Sequence, residues 1–173
     1  SQGSQSGSSA SEQLITIEKS AVIGGGEFKG FINSDEIKGL NWLTDHMKET
    51  VINIASEEEN TGVTVKKRSV KDKLVIRDNR LVYTADIDVD ILTDTGILPG
   101  IGETTLKKLV TTKIEQDCTS AIDTAFYRYN SDCFDIAQLI KFYYPQIYLD
   151  YSDNYDALKE TIDFEINVNC YIK

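Results

Sequence analysis

The run Thr161–Ile172 alternates without interruption. Ile162, Phe164, Ile166, Val168, Cys170 and Ile172 fall on one side, and Asp163, Glu165, Asn167 and Asn169 on the other. A period of two belongs to a β-strand with one buried face. Side chains of this kind contribute about 1.5–3 kcal/mol each when buried. The run is therefore read as a structural centre, and no active site is needed to explain it. Leu81–Leu92 repeats the pattern, with Leu81, Tyr83, Ala85, Ile87, Val89 and Ile91 on one face and Asp86, Asp88 and Asp90 on the other. A chain holding two such strands must build a sheet and cover its apolar side.

The cover is helical. Leu106, Val110, Ile114, Cys118, Ile122 and Phe126 recur every four residues, which predicts one long amphipathic helix over 103–128. A second helix is expected over about 131–144, stopped by Pro145, and a short one around 153–160. An earlier helix should start at Ser34, with its hydroxyl as cap and Asp35 and Glu36 in the first turn. Its apolar face is Ile37, Leu40, Leu43 and Met47, widened by Trp42.

Two short β-like runs over 14–32 flank Gly24, Gly25 and Gly26 and read as a hairpin. Val51–Ala55 reads as a strand and Glu57–Gly62 as an acidic turn. Val63–Ile76 reads as a strand whose alternation changes phase near Arg68, the mark of a bulge or bend. Asp78–Asn79 has hairpin-turn chemistry.

The fold class expected is α+β: a mostly antiparallel sheet of about five or six strands, helices packed on one face, and an acidic face towards water. Residues 1–12 hold little but Ser, Gly and Gln and read as a flexible linker or expression remnant. A single α+β domain is expected over 13–173, cut from a longer protein or following a linker in one. No internal repeat is visible.

The chain of 173 residues carries 18 Lys and Arg against 28 Asp and Glu, a formal net charge of −10. Such a chain repels phosphate backbones and anionic lipid surfaces, so no nucleic-acid partner is expected. No run approaches the roughly 18 apolar residues of a membrane-spanning helix, and no signal peptide is read at the N-terminus.

Chemistry-bearing motifs are sparse. Cys118, Cys133 and Cys170 have no CxxC spacing and read as small buried side chains, with no disulfide framework. His46 is the sole histidine, which excludes metal sites needing two imidazoles. Asp86, Asp88 and Asp90 open like a calcium loop, but Ile91 stands where glycine is needed and Ile97 where glutamate is needed. Nothing fixes a catalytic pair among Asp86, Asp88, Asp163 and Glu165. No nucleophile has an activating partner in sequence, and the three glycines lack the spacing of a phosphate loop. No catalytic residue, cofactor or metal is therefore expected.

Two segments carry further readings. Ile97-Leu98-Pro99-Gly100-Ile101-Gly102-Glu103-Thr104-Thr105-Leu106 resembles the hairpin of helix-hairpin-helix DNA-binding proteins, with Lys107 and Lys108 beside a helix start. That motif needs a helix ahead of the turn, where this chain has an alternating strand. A DNA-binding module at 97–106 is the alternative function. The aromatic cluster Phe142, Tyr143, Tyr144, Tyr148, Tyr151 and Tyr155 either caps the core with its hydroxyls in water or forms an interaction surface.

The ordered set of elements resembles a known family. The stretch Glu27–Leu43 (EFKGFINSDEIKGLNWL) is similar to the opening of the C-terminal domain of spore germinant-receptor C subunits, the Ger(x)C lipoproteins. There a hairpin ending in glycine, aromatic, aliphatic, Asn enters a helix carrying Gly-Leu-x-Trp. Two long strands, a long helix, the segment Asp132-Cys133-Phe134-Asp135-Ile136-Ala137, Tyr144-Pro145 and the closing strand Ile162–Ile172 follow in the family's order. The resemblance spans about residues 20–173. The loop Gly96–Gly102 is richer in glycine than the family pattern, and the basic residues usual near its end are reduced to Lys173.

Membership would imply a non-enzymatic domain of a lipid-anchored subunit, with the lipidated cysteine elsewhere in the full chain. That subunit would work beside membrane-embedded A and B receptor subunits. It would face outward from the inner spore membrane and help convert nutrient detection into germination. Tyr143, Tyr144 and Tyr148 are the residues expected to contact a partner.

Overall fold

The computed structural model describes residues 18–55, 60–92, 101–151 and 154–173. The expected linker, residues 57–59 of the acidic turn Glu57–Gly62 and residues 96–100 of the glycine-rich loop lie outside them, and residues 60–62, expected in that turn, belong to a strand. In chain order the elements are β1 (Lys19–Gly24), β2 (Glu27–Asn33), α1 (Ser34–Leu43), β3 (Glu49–Ala55), β4 (Asn60–Arg77) and β5 (Arg80–Leu92). These are followed by α2 (Glu103–Ala121), a π-helical segment Ile122–Arg128, α3 (Ile136–Tyr143), α4 (Pro145–Asp150), α5 (Tyr155–Lys159) and β6 (Ile162–Ile172).

The expected α+β class and number of strands are found, divided between two sheets. β1 and β2 form an antiparallel hairpin, and the second sheet has the order β3-β4-β5-β6. In that sheet β3, β4 and β5 are antiparallel neighbours, whereas β6 runs parallel to β5, with Leu81 opposite Ile162 and Ile91 opposite Ile172. The phase change near Arg68 is a bulge: the register of β4 against β5 shifts between Lys67 and Ser69.

One apolar layer joins sheet and helices. The β5 row Leu81, Tyr83, Ala85, Ile87, Val89 and Ile91 meets the α2 row Leu106, Val110, Ile114 and Cys118, and all ten are buried. Steps of four overrun the α-helical turn by about 40° each, so a long row of this kind drifts off the sheet. The expected helix 103–128 in fact leaves α geometry after Ala121. The wider turn of the π-helical segment drifts the other way and keeps Phe126 in the core.

Helix α1 begins at Ser34 as expected, but the cap is the Asn33 side chain and not the Ser34 hydroxyl. Asn33 Oδ1 accepts from the backbone N–H groups of Asp35 and Glu36, and Glu36 Oε2 accepts from Asn33 N–H at 2.7 Å. The other oxygen of Glu36 accepts from the Thr124 hydroxyl at 2.6 Å, tying the buried start of α1 to the π-helical segment. Lys113 of α2 adds a second tie, 2.9 Å from Asp35 and 2.8 Å from the buried Asp117. Burial raises the Asp117 carboxyl against the lowering effect of Lys113.

The helix expected over 131–144 starts later, at Ile136. Both carboxylate oxygens of Asp132 accept backbone N–H groups there, from Ile136 (2.9 Å) and Ala137 (2.8 Å). This is the local reason for the order Asp132-Cys133-Phe134-Asp135. Aspartate caps the coming helix, and Phe134 turns inward against Phe126 and Phe164. Asp135 adopts φ 55°, a conformation aspartate tolerates better than most residues.

The face of β5 expected to be acidic and turned to water is instead a paired ladder. Asp86 accepts from Asn167 (2.9 Å) and lies 3.8 Å from Lys73, and Asp88 accepts from Ser69 and Asn169, both at 3.0 Å. Asp90 is only 5% exposed, with Arg68 and Lys173 each 2.7 Å from its carboxylate. Arg68, the residue the bulge leaves over, also stacks 4.1 Å from the Tyr171 ring. A central strand has neighbours on both sides, and here residues of β4 and of β6 or the residue after it give each aspartate a cation, a hydroxyl or an amide.

Two expected outcomes follow from this packing. A Cβ at Gly39 of α1 would lie 2.0 Å from the Asp117 carbonyl oxygen of α2, a backbone atom that no rotamer change can move. Gly39→Ala is expected to destabilise the domain by about 1–3 kcal/mol in urea unfolding, despite alanine's better helix propensity. Hydrogen bonding to Lys173 leads the causes that hold the Asp90 carboxyl below its ordinary 3.8. A lowered carboxyl contributes its full stability above the ordinary value and loses it as pH falls through the folded-state value. The urea midpoint of Asp90→Asn should therefore trail wild type most at about pH 7, and the gap should close by about pH 2.

Candidate functional site

The tyrosine cluster sits on the last helical layer, where Pro145 separates α3 from α4. Ile136 and Ile140, one turn apart, fix the buried side of α3. Tyr144, four residues further on, keeps that side and is half-buried against the core, with its hydroxyl donating to the Leu74 carbonyl at 3.2 Å. The chain then breaks: Tyr144 (φ −135°, ψ 60°) ends α3 and precedes Pro145, which opens α4. The expectation from sequence has Pro145 only as a stop, and this helix lies beyond it. Proline at the first helical position loses no hydrogen bond and carries a helical φ.

The three tyrosines singled out by sequence therefore have different settings. Tyr143 is 59% exposed, whereas Tyr144 and Tyr148 are half-buried and packed against the core, with Lys141 Nζ 5.6 Å from the Tyr148 ring centroid. The outer surface is completed by Phe142, 78% exposed, which meets Tyr143 edge to face at 4.9 Å, and by Leu149, 62% exposed. Leu149 was missed because no periodicity crosses the break at Pro145. Phe142 and Tyr143 thus form an exposed aromatic platform at the end of α3, Leu149 is exposed on α4, and Tyr144 and Tyr148 are packed against the core.

Such a platform offers van der Waals area and one outward phenol, which suits docking of another surface. Its groups do not form a proton-transfer pair. Elsewhere, His46 Nδ1 lies 2.8 Å from Thr44 Oγ1. The three cysteines are free thiols, and burial raises those of Cys118 and Cys170, which keeps them protonated. Among the described residues no cluster of three or more His, Cys, Asp or Glu could hold a metal ion, and no helix is long and apolar enough to cross a membrane.

The loop of the alternative reading is described only from Ile101 onward. Gly102 is the N-cap of α2, Lys107 pairs with Glu103 at 2.6 Å, and the element before the loop is β5. A strand stands where helix-hairpin-helix geometry needs its first helix.

Comparison with known proteins defines the class. Over residues 18–173 the chain matches the family described as spore germination B3/GerAC-like, C-terminal, and it belongs to that family. Among solved structures it is similar to the crystal structure of the GerBC protein, at 19% sequence identity and a TM-score of 0.72. The match covers 86% of this chain and 48% of that one, so the chain spans about half the length of GerBC. At this identity the likeness is one of fold. No curated protein is matched.

The platform can be separated from its support by mutation. Tyr143→Ala should leave the unfolding free energy from urea titration within about 0.5 kcal/mol of wild type, as exposed substitutions do. Tyr144→Ala loses packing and a hydroxyl partner for Leu74 and should cost about 2–4 kcal/mol.

Proposed function

We propose that this chain acts as a non-enzymatic assembly and signal-transmitting domain of a germinant receptor C subunit. The observation that carries the reading is the family match over 18–173. On this reading residues 13–173 are one α+β domain of a longer lipoprotein, and residues 1–12 are a linker or remnant. The parent chain is held by a lipid anchor outside this segment, on the outer face of the inner spore membrane. Its partners are the membrane-embedded A and B receptor subunits.

Tyr143, Tyr144 and Tyr148 are the proposed contact, with Phe142 and Leu149 extending it. Tyr143 would meet the partner directly, while Tyr144 and Tyr148 hold the platform in place. The physical support is that the platform exposes aromatic area that includes Tyr143, and tyrosine is enriched at docking hot spots.

The test uses an antibody against this domain on fractionated spores of the source organism, followed by pull-down from the detergent-solubilised membrane fraction and mass spectrometry. The expected result is a lipidated parent chain recovered with two multi-spanning proteins. Phe142→Ala with Tyr143→Ala in the parent chain should reduce that recovery by at least tenfold while the circular dichroism of the domain stays unchanged. Recovery of the parent in a soluble or DNA-associated fraction would overturn the reading.

A further inference from the structure

The order β3-β4-β5-β6 makes β6 an edge strand of 11 residues. Its phase is fixed at both ends: Leu81 N–H donates to Thr161 O at 3.1 Å, and Lys173 N–H donates to Ile91 O at 3.0 Å. In an unbroken parallel ladder the odd-numbered residues between them turn their backbone groups to β5, and the even-numbered ones turn theirs outward. The outward carbonyl of Ile162 is taken by the Tyr127 hydroxyl at 2.9 Å. Beyond it, among the described residues, no hydrogen bond reaches the outward N–H and C=O groups of Phe164, Ile166, Val168, Cys170 and Ile172.

Edges of this length are ordinarily blunted by a bulge, a proline or a lysine. β6 has no register shift, and neither Pro nor Lys occurs within it. Its apolar row from Phe164 to Ile172 is only partly buried against α2. A groove of about 500 Å³ runs between the N-terminal half of the edge and the α2 and π-helical layer, with Phe164 and Ile166 in its wall and Glu115, Asp123 and Asp163 around it. Asp163 is neutralised by Arg80, whose two nitrogens lie 2.5 and 2.8 Å from its oxygens. The carboxylates of Glu115 and Asp123 have no hydrogen-bond or ion-pair partner among the described residues.

We propose that the open edge of β6 is a docking site for an extended, basic segment of a partner protein, which adds to the sheet as a fifth strand. Its backbone would pair with the outward groups of Phe164 to Ile172, giving affinity through main-chain bonds. On its side facing α2 it would carry Lys or Arg beside Phe164 and Ile166, where Glu115 and Asp123 lie, and apolar side chains further along, which continue the half-covered row. The net charge of −10 favours a cationic strand over a second copy of this chain. The surface is separate from the platform on α3 and α4 and does not depend on its role.

The test is amide hydrogen exchange of the 173-residue chain with an end-capped decapeptide in which Thr alternates with Lys or Val, so that one face carries Thr and the other both Lys and Val. The amides of Phe164, Ile166, Val168, Cys170 and Ile172 should exchange faster than those of their odd-numbered neighbours in the free protein and slow at least tenfold on adding the peptide. The same peptide with Glu in place of Lys should leave them unchanged. Val168→Pro removes one outward N–H without touching the bonds to β5, and should weaken binding at least tenfold. Glu115→Lys with Asp123→Lys alters only the rim and should act in the same direction, which keeps the test informative should the proline variant not fold. Protection elsewhere, equal protection by the acidic peptide, or no protection by either would overturn the proposal. So would sedimentation showing a dimer in which the β6 amides are already protected.

Discussion

Helices α1 and α2 touch backbone to backbone at Gly39, and the rest of the helical layer is set by that contact. With no side chain between them, α1 comes close enough for the Cys118 thiol to reach the Gly39 carbonyl at 3.8 Å. Lys113 then lies within reach of both Asp35 and Asp117. The same approach carries Glu36 to Thr124 and seats Trp42 and Leu43 in the core beside the α2 row. A wider spacing would loosen each of these at once, since interiors are packed too densely to absorb a gap.

The sheet has its own organising element in β5. One face of this strand supplies the apolar row beneath α2, and the other supplies three aspartates, a sequence that in isolation repels itself. Neighbouring strands resolve the repulsion: β6 brings Asn167 and Asn169, and β4 brings Lys73, Ser69 and, through its bulge, Arg68. The bulge thus shifts the register of β4 and also delivers a guanidinium to the most buried of the three aspartates.

Much of this was legible because strand and helix periods are local. The alternation of Leu81–Leu92 and Ile162–Ile172, the steps of four from Leu106, and the slip near Arg68 all map onto observed elements. Direction was not legible: alternation is the same read forward or backward, so the parallel pairing of β6 had no signal in the side chains. Nor was the π-helical segment, because a wider turn conserves the apolar residues and changes only their phase. The acidic face was misread since a strand by itself cannot show what its neighbours bring. At the platform, chemistry located the tyrosines but could not separate Tyr143 from Tyr144, whose difference arises from one step around α3.

The parallel pairing of β5 with β6 also governs how the chain can acquire its structure. Leu81 and Ile162 are 81 positions apart, and the intervening chain contains every helix after α1. A crossover of that length makes the ladder a late event, because loop closure is costly before any of its bonds form. During synthesis β5 leaves the ribosome well ahead of β6. Until then its Asp88 lacks Asn169, and Phe164 is missing from the cluster of Phe126 and Phe134. The nascent domain passes through a stage with β5 itself as its bare rim, and only translation through β6 ends that exposure.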